Sequence, residues 1–490
     1  MQSLHEQLTG ITESFAFIIP ELVLSAGILY LLIAGLFNSD NNLHFNLAAL
    51  LTAAASFSFL VAGGLDTNTM LFNGLLRRDA LGEYLMLLVD VSVVLTCLMS
   101  LYNPEKRHLS EYYALVLAVA LGSHFLLMTT NFLVAFLSLE LISISSYILA
   151  GYTFNKAGSE GSLKYFLFGS IASATMLYGF SILYGITGTL DFGSSGFFEG
   201  LINNPSPLLL ISGLMGLSGF LFKMAAAPMH PWAPDVYEAA PIPVIAYISV
   251  APKLAGIGIL TKFLLSLHLF GQGEYDWQST IAVIAILTIT MGNFSALWQK
   301  NFKRMMAYSS IAQSGFLLVG VAAFLPQGVH FMLFYASVYL LMNFSVFIYL
   351  AYFEKQGMSS MDTFAGKGKR FIWASVGITV GLVALTGLPP TSGFTAKLFI
   401  FSSLWESYAA TRKSLLLWLL IFGLLNTVVS LFYYLRIPYF AFIRPGDTGE
   451  IQKNGGLENL LGLILVVLLV AIFFMPGLLM SLINRINFVL

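Results

Sequence analysis

The stretch Gly387-Leu388-Pro389-Pro390-Thr391-Ser392-Gly393-Phe394-Thr395-Ala396-Lys397 cuts an apolar run that extends from about 371 to 408. That run is too long for one straight membrane crossing, which takes about 20 residues. Two prolines between two glycines do not continue a helix, because proline lacks an N–H and clashes with the preceding turn. The run therefore reads as an interrupted span with a lysine beyond the interruption. A second apolar run, 206–227, carries Lys223 and leads into Pro228, Pro231 and Pro234. Interrupted spans in corresponding places are a sequence pointer to a transport site. The pattern Gly219-Phe220-Leu221-Phe222-Lys223 recurs as Gly393-Phe394-Thr395-Ala396-Lys397, and Lys164-Tyr165-Phe166-Leu167-Phe168 aligns with His330-Phe331-Met332-Leu333-Phe334. The two matches, at offsets of 174 and 166 residues, share a register within eight residues. A tandem copy of five helices reverses its orientation in the membrane, because five is odd. The pattern therefore predicts an inverted repeat: 112–267, about spans four to eight, and 277–436, about spans nine to thirteen.

Composition sets the medium. The 490 residues are 58% hydrophobic and 10% charged, with 23 Lys+Arg against 24 Asp+Glu and a mean hydropathy of +0.83. Soluble domains carry about 25% charge, so this is an integral membrane protein. Its apolar residues are enough for about fourteen spans of about 20 residues. Continuous apolar runs without period-two alternation indicate helices, not a transmembrane barrel. Fourteen are expected, near 15–37, 43–64, 81–101, 112–129, 131–152, 162–186, 206–227, 242–267, 277–297, 305–324, 328–352, 371–408, 414–436 and 457–481. The fold class is all-α, a single polytopic membrane domain over 1–490 with two broken helices. Spaced glycines such as Gly213, Gly216 and Gly219 permit close helix approach. The Met1–Ser14 segment has no Lys or Arg and so lacks the basic region of a cleaved signal peptide.

The even charge balance gives no reason to expect a nucleic-acid partner. A lone cysteine, Cys97, excludes a disulfide framework and a Cys-ligated iron–sulfur cluster. Redox chemistry is therefore expected on other chains. Loop Lys and Arg divide thirteen to six. The larger group, on the side away from the N-terminus, includes Lys106, Arg107, Lys303, Arg304 and Lys453; the smaller includes Arg77, Arg78 and Arg412. The positive-inside rule then puts both termini away from the cytoplasm.

Ionisable groups inside spans cost roughly 2.5–3.5 kcal/mol each on insertion scales. They are few: Glu140, Lys164, Lys223, Lys253 and Lys397, with His330 as a further protonatable member. Pro252 precedes Lys253 and frees a backbone carbonyl upstream. Burial favours a neutral lysine and a nearby carboxylate favours a charged one, so such groups can load and release protons. A sodium site would want clustered carboxylates and carbonyls; four lysines with one mid-span glutamate favour protons. Glu21 and Asp90 fall outside the repeat and read as helix-packing or interface ion pairs. His230, in the Pro228–Trp232 break, reads equally as a gate or relay group and as a loop hydrogen bond. No metal cluster, P-loop or nucleotide-binding turn stands out.

The stretch from Phe222 to Val244, FKMAAAPMHPWAPDVYEAAPIPV, resembles the signature of the antiporter-like membrane subunits of respiratory complex I. Lys303-Arg304-Met305-Met306-Ala307-Tyr308-Ser309-Ser310-Ile311-Ala312-Gln313-Ser314-Gly315 is similar to a second motif of that family, K-R-x-x-A-Y-S-S-I-x-Q-x-G. The resemblance covers essentially the whole chain. A chain ending soon after its last span, with lysine at 397, resembles the N group of these subunits more than the L or M group. It implies fourteen helices, two inverted half-channels, and breaks in the seventh and twelfth helices. By position, Glu140 and Lys223 match the family's Glu–Lys pair, Lys253 its central-axis lysine, Lys397 its exit-side group, and Lys164 a sixth-helix lysine; His330 is a less direct match. The resemblance further implies proton translocation within a redox-driven NADH:quinone oxidoreductase of a bacterial inner membrane or an equivalent energy-converting membrane. FMN, iron–sulfur clusters and quinone would sit on partner subunits, with no cofactor on this chain. The alternative is an Mrp-type cation/proton antiporter subunit without redox partners; a passive scaffold is disfavoured by the repeat-related lysines.

Overall fold

The computed structural model describes residues 4–37, 42–64, 68–101, 108–204, 206–269, 275–446 and 456–486. Lys106, Arg107 and Lys453, used in the charge count, lie outside them. Helices dominate because each apolar run satisfies its own backbone hydrogen bonds, the only arrangement besides a closed barrel that hydrocarbon tolerates. Ser and Thr hydroxyls inside these helices bond back to the carbonyl one turn earlier, as Thr96 does to Ser92 and Ser123 to Val119. Among the described residues, twelve helices are long and apolar enough to cross a membrane, from Ile19–Phe37 to Ser414–Phe442. They match the expected spans to within a few residues, apart from the longer Lys156–Thr187 and Ser414–Phe442.

The two remaining expected spans are divided. The 371–408 run becomes Ile372–Thr386 and Ser392–Thr411, parted at the quoted prolines. The 457–481 run, read as one crossing, becomes Glu458–Phe474 and Pro476–Ile483, bent by 83°. Pro476 occupies the start of the second piece, where a missing N–H costs nothing, and breaks continuity with the first. Several short elements were not foreseen, among them a hairpin and a capped helix. Thr69–Leu71 pairs antiparallel with Leu76–Arg78 as a small hairpin, and the short helix Ser195–Asn203 is capped by Ser194.

The chain forms two compact units. One comprises Met1–Met224, Ala251–Trp277 and Arg485–Leu490; the other Ala225–Val250 and Gln278–Asn484. In the first, the glycine spacing acts as expected. A side chain on Gly179 would meet the Gly216 backbone at 2.6 Å, so Lys156–Thr187 and Pro207–Met224 approach backbone to backbone. Gly213 lies under Trp277 and Gly219 under Met176. Lys262 is fully neutralised there, donating to the Asp79 carboxylate and the Leu127 carbonyl.

The units share local devices. Asn131 caps Phe132–Ala150 by accepting from the Leu133 and Val134 N–H groups; Asn301 caps Phe302–Ala322 by accepting from Lys303 and Arg304. Each asparagine also forms an antiparallel bridge, Asn131 with Asp191 and Asn301 with Ser360. Pro207–Met224 and Ile372–Thr386 each give way to a left-handed residue, Ala225 (φ 52°) and Gly387 (φ 84°), with proline three residues further on at Pro228 and Pro390. In this register the breaks are 162 residues apart.

Candidate functional site

Lys223 lies in the last turn of Pro207–Met224 and is 1% exposed. Its Nζ has no hydrogen-bond partner among the described residues. Three rings surround it instead, with centroids 5.4 Å (Tyr147), 5.6 Å (Tyr165) and 5.7 Å (Phe222) away, within the range of cation–π attraction. Tyr147 and Tyr165 brace each other edge to face at 4.5 Å. Tyr147 is seated over Gly169, where any added side chain would collide with its hydroxyl. Glu140 stands two turns before Tyr147 on the same helix, half-buried, with Oε1 buried and unpartnered. No ion pair or hydrogen bond joins Glu140 to Lys223, and a gap separates the two.

Lys397 is held differently. It is buried on Ser392–Thr411, and its Nζ donates to the Thr386 carbonyl at 2.8 Å and the Leu385 carbonyl at 3.3 Å. These are carbonyls at the end of Ile372–Thr386, where the helix dipole favours a cation. The Phe316 ring lies 4.2 Å from Nζ. Gln313 Nε2 donates to the same Leu385 carbonyl at 3.1 Å, and the Tyr335 hydroxyl donates to Gln313 Oε1. Gln313 also reaches the Tyr434 hydroxyl, which is bonded to Ser309. Lys397 therefore stands at the head of a network of hydroxyls and an amide. From the same helix, Ser310 joins Tyr237 and Tyr339, and Tyr339 donates to the Ser249 carbonyl at 3.0 Å.

Of the other expected residues, Lys253 is completely buried, just after the turn at Ser249-Val250 that parts Ile242–Ile248 from Ala251–Leu269. The structure corrects the burial of Lys164. Its side chain is 41% exposed and paired with Glu160 one turn earlier at 2.9 Å, among the exposed Leu163, Phe166 and Leu167. It sits within an apolar run but on the outward face of the helix. His330 is half-buried near the start of Pro326–Lys355, and His230 is half-buried in the turn after Ala225. Lys223 precedes its break by two residues, whereas Lys397 follows its break by ten. The shared five-residue pattern thus marks both breaks without aligning them; the left-handed residues and the prolines do that.

A family model described as "NADH:quinone oxidoreductase/Mrp antiporter, TM" matches residues 129–428. The chain belongs to this family. It is 38% identical over 421 residues to NADH-quinone oxidoreductase subunit N 2 of Chloroherpeton thalassium, covering 83% of this chain and 81% of that protein. It is 35% identical over 482 residues to NADH-quinone oxidoreductase subunit N of Chlorobium chlorochromatii, covering 94% and 93%. Among solved structures, a chain of respiratory complex I from Thermus thermophilus matches with a TM-score of 0.80 at 27% identity, over 94% of this chain and 99% of that one.

Both family-like motifs meet in the second unit. Arg304 bonds Asp235 and Glu238, each at 2.8 Å, and Ser310 meets Tyr237. Sequence reasoning noted Ser309, Ser310 and Gln313 as motif letters and gave them no role. It missed Tyr147 and named Tyr165 only as a letter of the repeat, since tyrosines are too common in this chain to single out two.

Proposed function

We propose that this chain is the N-type subunit of a redox-driven NADH:quinone oxidoreductase and translocates protons through Glu140, Lys223, Lys253 and Lys397. The carrying observation is a contrast among buried lysines. Lys262 is neutralised by Asp79, as a structural cation in a membrane should be. Lys223 and Lys397 stand beside the two helix breaks with no carboxylate in ion-pair contact among the described residues. Ring faces and helix-end carbonyls attract an ammonium without trapping it, since the neutral amine leaves no buried anion behind. A group so placed can gain and lose a proton.

The route runs from Glu140 and Lys223 through Lys253 to Lys397. His330, half-buried at the start of its helix, is a secondary member. Lys164, on the outward face, belongs to the route only where a neighbouring subunit covers it. The paired Asn131 and Asn301 caps and the matching breaks support two repeats, about 112–267 and 277–436. Five helices each make them inverted, with half-channels opening to opposite faces. The thirteen-to-six division of basic loop residues supports termini facing away from the cytoplasm of a bacterial inner or equivalent membrane. Iron–sulfur ligation takes several thiolates, and the one cysteine, Cys97, is buried in Ala80–Ser100. A single cysteine does not fit such a centre, so iron–sulfur clusters are assigned to partner subunits; the family resemblance assigns FMN and quinone there as well.

The family model spans both quinone oxidoreductases and Mrp antiporters; the relatives at 35–38% identity carry the oxidoreductase name, which favours the redox reading. Co-purification tests it: flavin and iron–sulfur absorbance accompanies this chain if the reading holds and is absent from an antiporter. In the assembled complex, Lys397→Ala is expected to abolish pumping nearly completely. Lys397→Glu keeps an ionisable group and retains part of it with an altered pH profile. Full pumping in Lys397→Ala would move the exit elsewhere.

A further inference from the structure

We propose that Glu21, His124 and Asp90 form a further proton-binding site, built by the N-terminal helices and separate from the lysine route. Four helices of the first unit each contribute one polar group. These are Glu21 from Ile19–Phe37, Ser56 from Asn42–Gly63, Asp90 from Ala80–Ser100 and His124 from Leu109–Leu127. All four are at most 2% exposed. His124 Nδ1 lies 2.9 Å from Glu21 Oε1, and Nε2 lies 3.3 Å from Asp90 Oδ1. The Ser56 hydroxyl donates to Asp90 Oδ2 at 2.7 Å.

A neutral imidazole has one N–H and one lone pair, so it can donate to only one acceptor. Here a carboxylate faces each ring nitrogen. A neutral ring would turn its lone pair onto one of them, whereas the imidazolium is attracted to both, through a hydrogen bond to Glu21 and an ion pair with Asp90. The bound proton is what makes the arrangement attractive on both sides. The backbone agrees: Glu21 is in the first turn of its helix and His124 in the last turn of its own, the ends where helix dipoles favour an anion and a cation respectively. The cluster is also incomplete as a static ion pair. The Asp90 side is a charge contact without hydrogen-bond alignment: Asp90 Oδ1 and His124 Nε2, like Glu21 Oε2, are buried with no hydrogen bond among the described residues.

Among the described residues, no other charge contacts His124. On the helices packed around Leu109–Leu127, Glu83 is committed to Arg78 at 2.7 Å and Lys262 to Asp79. His44 meets Tyr30 near the start of its helix. Tyr84, Cys97, Glu140, Tyr147 and Lys253 complete the titratable groups with described side chains there, and Glu111, Tyr112 and Tyr113 share the helix of His124. Asp90 and Glu21 are the carboxylates in contact with His124.

The test is infrared difference spectroscopy on the intact membrane complex with isotope-labelled histidine, wild type against His124→Gln, at about pH 8, where an ordinary histidine is neutral. The expected difference is the loss of one imidazolium ring signature per chain. Loss of a neutral-ring signature instead would overturn the site. Should His124→Gln fail to assemble, the near-isosteric pair Glu21→Gln and Asp90→Asn supplies the reading with His124 retained. The imidazolium signature should then convert to neutral, and its persistence without either carboxylate would overturn the site equally.

Discussion

Gly387→Ala isolates the geometry on which Lys397 depends. Gly387 has φ 84°, and a Cβ there would meet Lys397 Cδ at 2.7 Å and Cε at 3.3 Å. The left-handed conformation costs a non-glycine residue about 1–2 kcal/mol. Ala225 tolerates the same region at φ 52° in the first break, so strain alone does not forbid alanine. The difference lies in the lysine stem, which must move away. Displacing Nζ from the Thr386 and Leu385 carbonyls forfeits a charge-assisted hydrogen bond, worth about 1.5–3 kcal/mol. If proton transfer through Lys397 requires that position, the rate falls by about tenfold to a hundredfold. The assay is proton uptake by proteoliposomes bearing the assembled complex, alongside NADH-driven quinone reduction. Ala225→Gly is the control: it relieves strain at the equivalent backbone position and should leave pumping intact. Wild-type pumping in an assembled Gly387→Ala complex would refute the dependence on Lys397 placement.

Three other outcomes are expected. Lys223→Ala should cripple pumping while assembly survives, and Lys223→Arg should not rescue it, because a guanidinium keeps its proton; subunit content on native gels separates the two effects. A double-mutant cycle of Glu140→Gln and Lys223→Ala on pumping rate should be non-additive, and additive free energies would disprove the coupling across the gap. Asn131→Ala and Asn301→Ala should each lower stability by about 1 kcal/mol through loss of the cap. Thermal unfolding of the purified complex would show similar shifts for both, and a silent Asn301→Ala would speak against the equivalence of the two caps.

The helices were legible because length and apolarity are local properties. Any run of about 20 apolar residues satisfies its own backbone within the membrane. The breaks were legible for the same reason, since Pro389 and Pro390 act on the turn in which they stand. Pro476, in an equally apolar run, went unread as a bend, and the Thr69–Arg78 hairpin was too short to register as alternation. Lys223, Lys253 and Lys397 were found because charge inside an apolar run is costly wherever the helix faces.

Sequence position could not tell inward from outward faces. Lys164 lies as deep in an apolar run as Lys223, yet its side chain is 41% exposed and meets Glu160, while Lys223 points into three rings. Which face turns inward is decided by the neighbouring helices, here by glycines that let Lys156–Thr187 and Pro207–Met224 touch. Partnerships at long range were equally invisible. His124 and Glu21 are 103 residues apart, and Gln313 shares the Leu385 carbonyl with Lys397 from 72 residues away. The amino-acid sequence by itself determined the medium, the helices and where charge had to be justified. Only packing decided which of those charges acquired a partner, because hydrogen bonds and ring contacts act over a few ångströms between helices that no local pattern brings together.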